Sequence, residues 1–139
     1  MAKPKILVRE YMKSLLLYFA ETDSVEHVAN TLVQHRELGA PVLDERKHLV
    51  GFVTEQDCMK QMLNDSYYAQ EHLLARDVMS RNTVHVTPDE DITHLAEDMI
   101  GDKPKIYPVC EDGRVVGIIT RSDVLKALTR MRYQSHGKA

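Results

Sequence analysis

The chain has 139 residues, a formal net charge of −3, 43% hydrophobic and 28% charged residues, which fits one compact domain or two very small units sharing a core. So small a charge exerts no long-range pull on nucleic acid or an anionic membrane, so an anionic ligand would need basic groups placed locally. Cys58 and Cys110 lack CxxC spacing, the N-terminus shows no leader-length apolar run, and no stretch approaches 18 apolar residues; together these read as a reduced, cytoplasmic protein.

In chain order, Leu15–Phe19 is the first short extended run. Asp23-Ser24-Val25-Glu26 then resembles a capping box, followed by Val25, Val28, Ala29, Leu32 and Val33 at the i, i+3, i+4, i+7, i+8 spacing of one helix face. Two apolar strands come next, Ala40–Leu43 and Leu49–Thr54, joined by the charged turn Asp44–His48. A second helix carries Cys58, Met59, Met62 and Leu63 as its stripe, and Asn64–Gln70 reads as a connector in which Tyr67 and Tyr68 are candidates for packing.

The same order then recurs. Thr83–Val86 is extended, Thr87-Pro88-Asp89-Glu90 marks a helix start with Pro88 suited to its first position, and Ile92, Leu95, Ala96, Met99 and Ile100 form the stripe. Strands at Ile106–Cys110 and Val115–Thr120 flank an Asp112-Gly113 hairpin signal, and Val124, Leu125, Leu128 and Met131 line the last helix. Met12/Met79, Val25/Ile92 and Pro41/Pro108 lie 67 residues apart, and Gly51/Gly117, Thr54/Thr120 and Asp57/Asp123 lie 66 apart. One constant offset with a single one-residue change indicates an internal duplication. The units are expected at 6–65 and 73–131, each βαββα in an α/β (α+β) fold. At about 60 residues each unit alone is marginal, so the two are expected to share a core.

Both copies carry Gly-φ-φ-Thr-x-x-Asp where the third strand meets the second helix: Gly51 to Asp57 and Gly117 to Asp123. A Thr hydroxyl beside unpaired amides at a helix start can seat a phosphate, and an Asp one turn on can accept both hydrogen bonds of a ribose diol. Gly permits close backbone approach. The same Thr-x-x-Asp is equally a weak capping box, stabilising the helix by about 1 kcal/mol and binding nothing. Recurrence does not separate the two readings, since a duplicated cap would also recur.

The duplicated βαββα order, the Pro-Val pairs Pro41-Val42 and Pro108-Val109, and the paired Gly-φ-φ-Thr-x-x-Asp segments together resemble the CBS-domain family over about Ile6 to Arg130. The resemblance implies a tandem pair, a Bateman module, with pseudo-twofold clefts between repeats that take AMP, ADP, ATP or S-adenosylmethionine as a regulatory ligand, no cofactor being obligatory. It implies a ribose-binding acid at Asp57 and Asp123 and a phosphate-proximal hydroxyl at Thr54 and Thr120. Adenine would be lined by Gly39, Ala40 and Pro41 in one copy, and by Ile106, Tyr107 and Pro108 with Thr83 and Val84 in the other. The first copy departs at Ser14-Leu15-Leu16, which lacks the Thr. Arg121, with Lys103 and Lys105, makes the second copy the expected phosphate site, since Glu55 and Gln56 occupy the matching places in the first.

The seven histidines, including the equivalent His27 and His94, show neither HxxxH nor HExxH spacing and read as surface residues, not metal ligands. The methionines suit a core or a dimer seam. No nucleophile elbow, Walker loop or paired-carboxylate proton route occurs, which points away from an enzyme. The expected function is a regulatory module sensing an adenylate and signalling, as a homodimer, to a separate effector protein, without nucleic-acid or membrane partners. A ligand-free dimerisation or interaction module is the alternative.

Overall fold

The computed structural model describes residues 5–65 and 72–136; beyond Asp65, the expected connector with Tyr67 and Tyr68 lies outside the described residues. The chain forms two compact units, Leu16–Thr83 (the first unit) and Met1–Leu15 with Val84–Ala139 (the second unit).

In the first unit β1 (Phe19–Ala20), α1 (Val25–His35), β2 (Gly39–Leu43), β3 (Leu49–Thr54), α2 (Glu55–Asp65) and the single turn α3 (Ala75–Val78) follow in order. The sheet order is β1-β2-β3, with β1 parallel and β3 antiparallel to β2. The strand expected at Leu15–Phe19 is displaced: only Phe19–Ala20 pairs, against Val42–Leu43, and Leu16 is 89% exposed. Leu17 and Phe19 still face the core at alternate positions, but the run before Phe19 finds no neighbouring strand to pair with. Ser24, not Asp23, caps α1, accepting from the His27 amide at 3.1 Å, while Asp23 accepts from the Ala20 amide and closes the preceding turn.

The second unit holds a 3-10 turn (Val8–Glu10), α4 (Ile92–Asp98), β4 (Ile106–Glu111), β5 (Arg114–Thr120) and α5 (Arg121–His136). The expected strand Thr83–Val86 reduces to one parallel bridge, Val86 with Val109. Pro88 does not open the helix. Residues 87–90 form a turn, and Asp91 caps α4 by accepting from the Thr93 amide at 2.9 Å. The hairpin is as expected: Asp112 (φ 54°) and Gly113 (φ 80°) both take the left-handed conformation that a two-residue turn between right-twisted strands requires.

Each unit is completed by the segment that precedes the other repeat in sequence. In the second unit the Ile92 amide, one of the unpaired donors opening α4, donates to the Ile6 carbonyl, and Lys13 pairs with Ile118 on the edge of β5. In the first unit Val25 donates to Leu73, and Ser80 pairs with Phe52 on β3.

The two cores use matching positions: Val25/Ile92, Val28/Leu95, Leu32/Met99, Val42/Val109, Val53/Ile119 and Cys58/Val124. Where size changes it is compensated. Phe19 with Ala40 in the first unit answers Val86 with Tyr107 in the second, a large-for-small exchange that conserves volume.

The helix stripes are narrower than their spacing predicts. Val33 and Ile100, at equivalent places, are 70% and 75% exposed, and so are Met59, Leu63 and Leu125 largely exposed. Cys58 and Cys110 are buried, and burial pushes both thiols above their ordinary pKa, with Asp57 and Glu55 adding to the effect at Cys58. Ellman's reagent at pH 8 is therefore expected to leave both thiols unreacted in the native protein and to titrate two in guanidinium. Rapid labelling of native protein would contradict this packing.

Candidate functional site

The paired Thr-x-x-Asp segments form the helix starts at the C-terminal ends of β3 and β5. In the first unit Asp57 Oδ2 accepts from the Thr54 amide at 2.9 Å, and the Asp57 amide donates to Thr54 Oγ1 at 3.1 Å. In the second unit Asp123 Oδ2 accepts from both the amide and the hydroxyl of Thr120 at 2.9 Å, and the Asp123 amide donates to Thr120 Oγ1 at 3.2 Å. These are reciprocal capping boxes.

Antiparallel register sets the neighbouring backbone. Gly39 is the partner of Thr54 and Ala40 of Val53; Ile106 is the partner of Thr120 and Tyr107 of Ile119. Each unit thus places its Thr–Asp pair beside the strand segment expected to line adenine. The helix amides are tied in the same way: Glu55 N donates to Leu38 O at 2.9 Å, and Arg121 N to Lys105 O at 3.0 Å. Pro41 and Pro108, fully buried, stand one position further along, paired with Phe52 and Ile118.

The sites differ in charge and burial. Asp123 is 3% exposed, the one buried charged residue among those described. Its Oδ1 lies 3.2 Å from Lys13 Nζ, a residue the sequence reading did not single out. Asp57 is half-buried. Tyr107 donates its hydroxyl to the Asp98 carbonyl at 3.3 Å, and its pKa is raised by burial and by the Asp98 charge.

Arg121 is engaged with the backbone of its own unit. Its Nη2 donates to the carbonyls of Met99, Gly101 and Lys103 at 3.0, 2.8 and 3.2 Å, tying down the loop that leads into β4. Lys103 and Lys105 are exposed on that loop. Thr83 is half-buried and Val84 exposed, neither within a strand.

The motif glycines meet the chain's own backbone. A Cβ on Gly117 would stand 2.6 Å from the Lys13 carbonyl oxygen, and one on Gly51 would collide with the Met79 side chain. The close approach expected of a ligand is made by the leading segment of each unit.

Other features lie apart from these helix starts. In the second unit an apolar groove of about 380 Å³ is lined by Ala96, Met99, Ile100, Val124, Leu125 and Leu128 among others. In the first unit a hollow of about 430 Å³ is lined by Tyr18, Glu21, Thr22, Asp44, Glu45 and Arg46. Glu90, His94 and Asp98 bring three possible ligand atoms within 4.8 Å of one another on α4 and the turn before it. Their i, i+4, i+8 spacing was visible in the sequence and went unremarked. The matching residues of the first repeat are Asp23, His27 and Thr31. No helix among the described residues is long and apolar enough to cross a membrane.

Comparison with known proteins places these features in context. A family model for the CBS domain matches residues 8–64 and 75–130. The chain is similar to protein MJ1225 of Methanocaldococcus jannaschii, at 28% identity over 121 residues, covering 87% of this chain and 42% of that protein. It is also similar to the L-aspartate semialdehyde sulfurtransferase of the same organism, at 30% identity over 125 residues, covering 89% of this chain and 23% of the enzyme. The chain therefore spans less than half the length of either relative. Among solved structures, the CBS domain pair of protein MJ0100, in complex with 5′-methylthioadenosine and S-adenosyl-L-methionine, matches with a TM-score of 0.76 and 28% identity over 91% of this chain and 98% of that one.

Proposed function

Since this chain belongs to the CBS-domain family, with one copy at residues 8–64 and another at 75–130, we propose that it is a regulatory module binding an adenine nucleotide or adenosyl compound. The observation that carries this reading is the coincidence, in each unit, of a Thr–Asp helix start with the strand backbone paired to it, Thr54 and Asp57 beside Gly39-Ala40 and Thr120 and Asp123 beside Ile106-Tyr107. A carboxylate that already accepts from an amide through one oxygen keeps acceptor capacity for a diol, and strand backbone can read an adenine edge. The complex of protein MJ0100, at 28% identity, supports the adenosyl class of ligand.

Binding energy there acts on an effector only through its difference between two shapes of the protein. The effector is a separate protein, and the module works as a homodimer. Support for self-association comes from apolar residues at matched helical places left uncovered in both units: Val33 and Met59 in the first, Ile100 and Leu125 in the second.

A ligand screen tests the reading. Melting midpoints measured with AMP, ADP, ATP, NAD and S-adenosylmethionine should rise for at least one ligand. A ligand at 100 times its Kd adds about 2.7 kcal/mol, roughly 5–10 °C for a chain of this size. Five unmoved midpoints would favour the second reading, a ligand-free interaction module in which the reciprocal Thr–Asp bonds only cap helices.

A further inference from the structure

At the carboxylate itself the two units differ by one cation. In the second unit both oxygens of Asp123 are engaged: Oδ2 by the Thr120 amide and hydroxyl, Oδ1 by Lys13 Nζ at 3.2 Å. In the first unit the position equivalent to Lys13 is Ser80, 67 residues on. Ser80 makes the same backbone pairing, with Phe52, that Lys13 makes with Ile118. Its side chain brings no charge to Asp57.

We infer that Lys13 makes the second unit's site selective for phosphorylated ligands, whereas the first unit's site accepts an uncharged nucleoside equally well. This rests on the reading of both helix starts as ligand sites.

A diol that takes both carboxylate oxygens must take Oδ1 from the Lys13 ammonium. At Asp123 an uncharged nucleoside gains hydrogen bonds but loses a charge-assisted one, and the ammonium is left with no anion. A nucleoside monophosphate changes that balance, because its phosphate gives the same ammonium a new partner. The Lys13 side chain is 58% exposed, and a flexible four-carbon stem lets its compact charge follow the phosphate. Arg121 has its Nη2 engaged by the carbonyls of Met99, Gly101 and Lys103, whereas Lys13 already stands at the carboxylate. At Asp57 the equivalent residue is Ser80, so a diol there displaces no ammonium and a phosphate gains none from that position.

Calorimetric titration of the full chain with AMP and with adenosine tests this. In Asp57→Asn protein, which retains only the second unit's carboxylate, AMP should bind at least about tenfold more tightly than adenosine. Adding Lys13→Ser, the first repeat's residue, should bring that preference below about threefold, chiefly by weakening AMP and strengthening adenosine. The reverse transplant, Ser80→Lys in Asp123→Asn protein, should create a preference of about tenfold where none existed. Lys13→Gln serves as a second variant, since either change leaves the backbone bridge to Ile118 in place. An AMP preference unchanged by both Lys13 variants would overturn the inference and leave the ligand reading standing. Failure of every protein, wild type included, to bind either compound would overturn both.

Discussion

Replacing Gly117 with alanine is expected to destabilise the protein by about 3 kcal/mol, although alanine is ordinarily better than glycine in a strand by roughly 0.5–1 kcal/mol. The sign reverses because the new Cβ would stand 2.6 Å from the Lys13 carbonyl oxygen, a backbone atom with little room to yield. Lys13 and Ile118 exchange two hydrogen bonds, of 2.8 and 3.0 Å, and both are lost if the leading segment is pushed away. Val8, fully buried in the same core, is carried by that segment. Gly51→Ala should cost less, about 1 kcal/mol, because the nearest atoms belong to the flexible Met79 side chain and the Ser80 oxygen lies 3.0 Å away. Urea denaturation of the two variants measures the difference. A Gly117→Ala midpoint at or above that of the wild type would contradict the packing of the leading segment on β5.

The second large effect concerns ligand binding. Changing Asp57 and Asp123 together to asparagine should weaken adenylate binding by at least about 100-fold, the loss of two charge-assisted hydrogen bonds at each site. Asparagine keeps the capping geometry, accepting from the Thr54 and Thr120 amides as aspartate does, so the fold should survive. Lys13 loses its partner but remains open to water. If the double variant binds as the wild type does, the carboxylates only cap helices. If it unfolds, their role is in stability, and the ligand reading loses its support.

The duplication was legible because its signal is long: matched positions from Met12/Met79 to Asp57/Asp123 keep nearly one offset. Strands β2 to β5 were legible for the same reason, with the Asp112-Gly113 turn adding a conformational requirement few residue pairs meet. The partner of each leading segment could not be read. In a tandem duplication residues 6–13 and 73–80 are equivalent, so the offset is identical whichever repeat each one packs on. Lys13 was overlooked because nothing in the sequence around it points to Asp123, 110 residues on. The helix stripes were too wide because spacing shows which face is apolar but not how much of it the chain covers, as Val33 and Ile100 illustrate. The pairing of Thr54 with Asp57 and of Thr120 with Asp123 at the helix starts was legible in the sequence. The backbone partners of Arg121 were not legible, because a guanidinium close in sequence to a Thr–Asp pair says nothing of the loop carbonyls it meets.

The most direct measurement is a crystal structure of the full chain grown with saturating AMP. Ribose hydroxyls are expected within about 3 Å of the Asp123 or Asp57 carboxylate, with the adenine edge on the backbone of Ile106-Tyr107 or Gly39-Ala40. A nucleotide seated away from both helix starts, or both carboxylates bonded only to their own threonines and Lys13 at saturation, would contradict the ligand reading.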